Sequence, residues 1–283
     1  MTMNNKGPKA EDYLYHYTSI ETLALILKER TVRFNSLDKM DDRQEQMTAD
    51  INNIGQFCYV SSWTDDADES IPMWNMYATL DSGIRIRLRK NPFKIYDNCA
   101  DDLKNILKGL IIDNTKNQSI KSIIPLREIF SKGFICPQAM DISYNFLFKV
   151  SYTDEQDKLY PTLLNTNGNQ ITVALDKLGK YKNPNWKFQK EWRYILLFLP
   201  VNLNQSVTSS LDDFYTCAND VVKGRARQPF LYYDMKISDD AFENMQITLS
   251  PKISAGNRII VQSLLEKYNP SAALIESCLN NLM

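Results

Sequence analysis

The sequence predicts an α+β domain, a mixed or mainly antiparallel sheet flanked by helices. Three observations lead there. Residues 83–88 alternate strictly, with Ile84, Ile86 and Leu88 on one face and Arg85 and Arg87 on the other, which is the period of a strand. Residues 57–63 and 191–198 are dense in aromatic and β-branched residues, a composition suited to a pleated, half-buried surface. Interspersed with such runs are apolar residues at helical spacing: Ile20, Leu23, Ala24 and Leu27 near the start, and Ile260, Leu264 and Leu265 near the end. A chain of 283 residues, 43% hydrophobic, can bury a sizeable core, and no linker is visible, so one domain spanning 1–283 is expected.

Taken in order, residues 1–12 are polar and read as a flexible leader. Residues 13–19 form a short aromatic strand running into a helix that begins near Ile20, with Thr18 and Glu21 in the spacing of a capping box. A brief strand at 31–34 leads to a polar loop, 35–45. Its Asp38, Asp41 and Asp42 lack the glycine and terminal glutamate of a calcium loop, so the segment reads as solvated. After the strand at 57–63, residues 70–78 read as a helix with Pro72 in its first turn and Trp74, Tyr77 and Ala78 on a shared face. Residues 97–145 carry helical faces (Leu103, Ile106, Leu107, Leu110, Ile111, and a second over 120–130 interrupted at Pro125) and are expected to form a helical insertion. Strand returns at 147–152. Residues 160–178 are expected to end helical despite a turn signal at 165–169. The long strand 191–198 follows, then a helical face over 206–222, a strand at 245–249, an amphipathic helix over 257–268 and a terminal element around 272–275.

Composition excludes several function classes. Thirty-three basic residues against 34 acidic ones argue against a protein that coats nucleic acid broadly, while leaving room for a local basic patch. Five scattered cysteines without a Cys-x-x-Cys indicate neither a disulfide framework nor a zinc site, and a single histidine disfavours a nitrogen-rich metal centre, so no metal is expected. No apolar window reaches spanning length and no targeting signal opens the chain, which points to a cytoplasmic protein with no membrane contact.

That one histidine, His16, sits at a strand-to-helix junction, where a side chain projects in a fixed direction, as a ligand-orienting site requires. The alternative is a satisfied core histidine. Trp74 and Tyr77 offer either core packing or a stacking wall for a flat heterocycle. Upstream of residue 191, Lys180, Lys182, Lys187 and Lys190 interleave with Tyr181, Trp186 and Phe188, the chemistry that neutralises phosphates and stacks on bases, or else a solvated loop. In the strand that follows, Gln189, Glu191 and Arg193 share a face by period two, and an Arg193 ion pair would keep Glu191 ionised.

Taken together, residues 14–19 (Leu-Tyr-His-Tyr-Thr-Ser), 59–63 (Tyr-Val-Ser-Ser-Trp), 72–78 (Pro-Met-Trp-Asn-Met-Tyr-Ala), 83–86 (Gly-Ile-Arg-Ile) and Trp186-x4-Glu191-Trp-Arg resemble, in this order, the bacterial family of unknown function DUF2971. Residues 40–45 depart from that family's usual Asn-Asp-Pro-Phe-Glu block. At greater distance the arrangement resembles ADP-ribosyltransferases, including DarT-like nucleic-acid-modifying toxins and RNA 2′-phosphotransferases. The resemblance implies a split sheet and NAD as co-substrate, with Glu191 and His16 catalytic and with His16, Tyr17, Thr18, Trp74 and Tyr77 binding the cofactor. Trp186, Lys187, Gln189 and Arg193 would meet the acceptor. It implies a mono-ADP-ribosyltransferase acting as a toxin or anti-phage effector. Its acceptor would be nucleic acid, either RNA or single-stranded DNA, or protein, and an antitoxin or chaperone is an expected partner. Two other readings stand beside it: a metal-independent ribonuclease using His16 and Arg193 around a phosphate, and a non-catalytic binding module for nucleic acid or protein.

Overall fold

The computed structural model describes residues 12–98, 120–126, 128, 134–139, 142, 145–167, 170–200, 216, 219–280 and 282. Among them runs a nine-stranded sheet of strands β1 (Tyr13–Ser19), β2 (Thr31–Ser36), β3 (Cys58–Thr64), β4 (Gly83–Arg89), β5 (Leu147–Lys149), β6 (Glu191–Leu197), β7 (Tyr232–Lys236), β8 (Gln246–Leu249) and β9 (Ala273–Ile275). The order is β7-β2-β3-β1-β4-β8-β9, with β6 paired to β3 and carrying β5 on its far side. Every neighbour is antiparallel except β8 and β9, which are parallel. The chain is thus α+β with a mixed, mostly antiparallel sheet, as expected.

One detail of this topology positions the site. β6 pairs with β3 along its whole length, from Glu191 opposite Thr64 to Leu197 opposite Cys58. A strand has only two edges, so β1 and β2 must share the other one. β2 takes its beginning, at Tyr59 and Val60, and β1 touches only its end, at Thr64. The sheet therefore splits between β1 and β2 above the middle of β3.

The split is propped by two layers. β1 pairs over its full length with β4, placing Leu14, His16 and Thr18 opposite Leu88, Ile86 and Ile84 on one face, and Tyr13, Tyr15 and Tyr17 opposite Arg89, Arg87 and Arg85 on the other. Against the first face packs helix α1 (Ile20–Glu29) through Leu23 and Leu27, with Val261 and Leu265 of helix α2 (Ala255–Tyr268) in the same core. The helical face of α2 is turned from the expected one: Ile260 is 48% exposed, and Val261 and Leu265, at i and i+4, take the buried stripe. On the other face a second core gathers Leu37, Ile51, Ile54, Val60, Ile195 and Leu197. The cap of α1 also differs from expectation. Ser19, not Thr18, accepts from the backbone amide of Thr22 at 3.2 Å, Ser19 being the last residue of β1 and immediately preceding the helix.

Other segments correct the local reading. Leu164–Asn167 pairs antiparallel with Gln170–Val173, in keeping with the turn signal at 165–169, and of the helical end expected for residues 160–178 a short 3-10 turn, Leu175–Lys177, is present. Ile120–Ser122 is a strand paired with Tyr96–Asn98. The helical faces expected over 103–111 and most of 206–222, and residues 1–11 of the leader expected over 1–12, lie outside the described residues. Among the described residues no helix is long and apolar enough to cross a membrane.

Candidate functional site

A cleft of about 420 Å³ opens where the sheet splits, within the roughly 300–1,000 Å³ typical of small-molecule sites. His16, Tyr17 and Thr18 of β1, Ser62 of β3, Tyr77, Gln189 and Glu191 line it. By register His16 and Glu191 belong to opposite faces of the sheet, since Glu191 faces with Thr64 and Tyr15 while His16 faces with Ile86. Both reach one cleft because it passes through the gap between diverging strands.

His16 fills a main-chain vacancy created by that gap. Its Nδ1 lies 2.9 Å from the carbonyl oxygen of Ser62, and its ring packs against Trp63 at a tilt of 38°, centroids 5.1 Å apart. A carbonyl only accepts, so Nδ1 carries the proton and Nε2 is left as an acceptor. Burial pushes the imidazole pKa below its ordinary 6.5, against the opposing pull of the Ser62 carbonyl. The neutral form is therefore held at neutral pH. With one histidine in the chain, the imidazole Cε1 proton gives one unambiguous NMR resonance, and its titration midpoint is expected below 6.5; a midpoint at or above 6.5 would contradict this placement. Because the folded pKa is depressed, His16 withdraws stability as pH falls through 6.5, never as it rises.

Glu191 heads β6 and belongs to a buried four-charge cluster. Its Oε1 accepts from Arg193 Nε at 2.7 Å and its Oε2 from Lys182 Nζ at 2.9 Å. Glu45 completes the set: its Oε1 is 3.0 Å from Lys182 Nζ, and its Oε2 accepts from Arg193 Nη1. Arg193 also donates to Gly179 O at 3.1 Å and is fully buried. Burial alone would raise the Glu191 carboxyl, but the Arg193 guanidinium and the Lys182 ammonium overcome it and hold its pKa at about 2. The expected Glu191–Arg193 pair is present, with two partners the sequence did not suggest.

Gln189 shares this cluster. Its Oε1 accepts from Lys182 Nζ at 2.9 Å and its Nε2 donates to the Tyr77 hydroxyl. Tyr77 reaches the cleft because residues Trp74–Ala78 make a single π-turn, closed by the Thr79 amide on Trp74 O at 2.7 Å, in place of a continuing α-helix.

Four expected site residues sit elsewhere. Trp74 is completely buried, packed edge-on against Tyr17 at 4.9 Å and donating to Glu69 Oε2 at 2.9 Å, so it is a core residue and presents no face to a ligand. Arg193 is sealed beneath the cleft, and its guanidinium is committed to two carboxylates, so it cannot clamp an acceptor or a phosphate. Trp186 covers the Lys182 ammonium at 5.0 Å, Lys187 is exposed, and neither lines the cleft. The loop expected to be solvated folds back in short 3-10 turns and buries Asp42 and Glu45, which the sequence reading missed. The one hint was its flanks: Leu37, Ile51 and Ile54 are too apolar for a freely solvated excursion.

Comparisons with family models, curated proteins and solved structures return no match.

Proposed function

We propose that the chain is an NAD-dependent mono-ADP-ribosyltransferase on an ADP-ribosyltransferase-like split sheet, acting as a toxin or anti-phage effector. The observation that carries this reading is a carboxylate, Glu191, kept ionised on the same cleft as a neutral imidazole and an aromatic ring. Cleavage of the nicotinamide C1′–N bond sends the bonding pair onto the departing nicotinamide and leaves an oxocarbenium-like sugar. A carboxylate oxygen fixed beside that sugar by Arg193 and Lys182 stabilises the developing positive charge more than the ground state. In this reading His16 Nε2 accepts from a ribose hydroxyl, Tyr77 takes the stacking role that Trp74 cannot, and Tyr17 and Thr18 shape the wall. The acceptor then attacks C1′, forming the new bond to the sugar, and its proton passes to solvent. Gln189, held between Lys182 and Tyr77, is the side chain of Glu191's neighbourhood best placed to orient it.

The cations that suggested nucleic acid are largely committed: Lys182 to Glu45 and Glu191, Lys190 to Asp66 at 2.7 Å, Lys180 to Asp176 at 3.9 Å. The pairs of Lys180 and Lys190 lie at the exposed surface, where an ion pair is weak, so nucleic acid stays the proposed acceptor, with protein beside it. The test is incubation of the protein with NAD labelled in its ADP-ribose half, offering lysate protein, total RNA and single-stranded DNA in turn. Label transfer with release of nicotinamide is expected, reduced about tenfold or more in Tyr77→Ala, a loss of roughly 1.4 kcal/mol of transition-state binding. Neither transfer nor nicotinamide release with any acceptor would overturn the reading.

A further inference from the structure

The π-turn that carries Tyr77 is gripped by a distant part of the chain. Just upstream of it stands Glu69, half-buried, whose carboxylate collects three donors. Its Oε2 accepts from Trp74 Nε1 at 2.9 Å and from Ser277 Oγ at 2.6 Å, and its Oε1 accepts from the Cys278 amide at 2.7 Å. Ser277 is 208 residues further along the chain and 5% exposed. Its hydroxyl also accepts from the Leu279 amide at 3.1 Å, and Leu279 packs against the cluster of Tyr17, Trp74 and Ala78. An ion pair from Arg258 to Glu276 anchors the same segment to α2. The downstream end of the turn is held from nearby: the Lys252 amide donates to Leu80 O at 2.8 Å, and the Ser254 amide and Asn257 Nδ2 each donate to Asp81 O at 3.2 Å.

A single π-turn is a rare backbone choice, and it is followed here by Thr79 at φ 69°, so contacts from outside the turn must select it over a continuing helix. Hydrogen bonds to an ionised carboxylate are among the stronger ones available for that purpose. We infer that residues 276–279, acting through Glu69, are a positioning strap: they hold Trp74–Ala78 in the π form that presents Tyr77 to the cleft, and so set the affinity of the cleft. The inference rests on the NAD reading for its ligand and adds how the fold controls the ring that meets it. Glu69 and Ser277 do not line the cleft, so their effect on binding passes through Tyr77.

Two measurements on the full chain test it. In hydrogen exchange followed by mass spectrometry, residues 74–80 are expected to exchange about tenfold faster in Ser277→Ala and in Glu69→Gln, with β3 and β6 unchanged. The double variant should be little faster than Glu69→Gln alone, because both changes break one linkage. In calorimetric titration with NAD⁺, Ser277→Ala is expected to bind several-fold more weakly than wild type, with no further loss when it is added to Tyr77→Ala. Unchanged exchange over 74–80, or equal quickening of β3 and β6, would overturn the inference. So would local quickening with NAD⁺ affinity intact, or a Ser277→Ala loss that persists in full beside Tyr77→Ala. Wild type that binds no NAD⁺ would end the NAD reading, whereas quickening confined to 74–80 would still uphold the strap.

Discussion

Replacing Arg193 by methionine is expected to cost about 3–5 kcal/mol of folding stability, read as a lowered midpoint in urea denaturation at pH 7. The guanidinium is fully buried and touches both Glu45 and Glu191, each with a side chain 5% exposed or less. Removing it leaves two carboxylates, each nearly buried, to share one Lys182 ammonium. A pH series separates this electrostatic cost from a simple loss of packing. The Glu191 pKa is about 2 in the folded chain against an ordinary 4.5, so the unfolded state binds the proton first as pH falls. The stabilisation is therefore complete above about pH 4.5 and is lost as pH drops toward 2, a swing of about 3 kcal/mol for a shift of this size. Wild type should lose that increment across the window and Arg193→Met should lose much less of it. A cost under about 1 kcal/mol at pH 7, or parallel pH profiles, would mean that the four charges are not joined as described. The same cluster explains why Glu191→Gln is a poor probe of catalysis: it unbalances the fold and the chemistry together.

The elements that were legible in the sequence are those whose signal is local. The alternation of residues 83–88, the aromatic run through Trp63 and the period-two placement of Glu191 and Arg193 survive in the structure because a strand's faces follow from its own residues. Glu45 and Lys182 were illegible for the opposite reason. Each lies in a polar, turn-rich stretch; the return of residues 37–46 beneath β3 and β6 brings Glu45 to Arg193, and the pairing of residues 181–182 with 151–152 sets Lys182 against Glu45 and Glu191, long-range events with no periodic signature. Trp74 shows a third kind of failure. Helical spacing gave it and Tyr77 a common face, but the π-turn adds a residue per turn, which leaves the indole in the core and swings the phenol to the cleft. Likewise, Thr18 was displaced as the cap by one residue, a shift that boundary signals cannot resolve without the register of β1 on β4.

Gly83→Ala is expected to be the other severe substitution, costing about 3 kcal/mol or more and weakening whatever the cleft binds. Gly83 begins β4, opposite Ser19 at the end of β1, and the π-turn lies directly on it. A Cβ there would sit 2.2 Å from Ala78 O, 2.5 Å from Ala78 C and 2.5 Å from Thr79 O. All three are backbone atoms, so no rotamer relieves the contact and the turn itself must move. Thr79 is already at φ 69°, a conformation a β-branched residue adopts only when its surroundings impose it, so the turn has little slack to give. Displacing residues 74–78 moves Tyr77 away from Gln189 and hence from Glu191, although neither residue is altered. The glycine thus acts on the cleft through the close approach of two backbones, and the two effects can be read apart. Denaturation reports the loss of stability, and ligand titration well below the melting temperature reports the displaced wall. A Gly83→Ala protein as stable as wild type, with unchanged affinity for NAD⁺, would mean that the π-turn does not rest on β4.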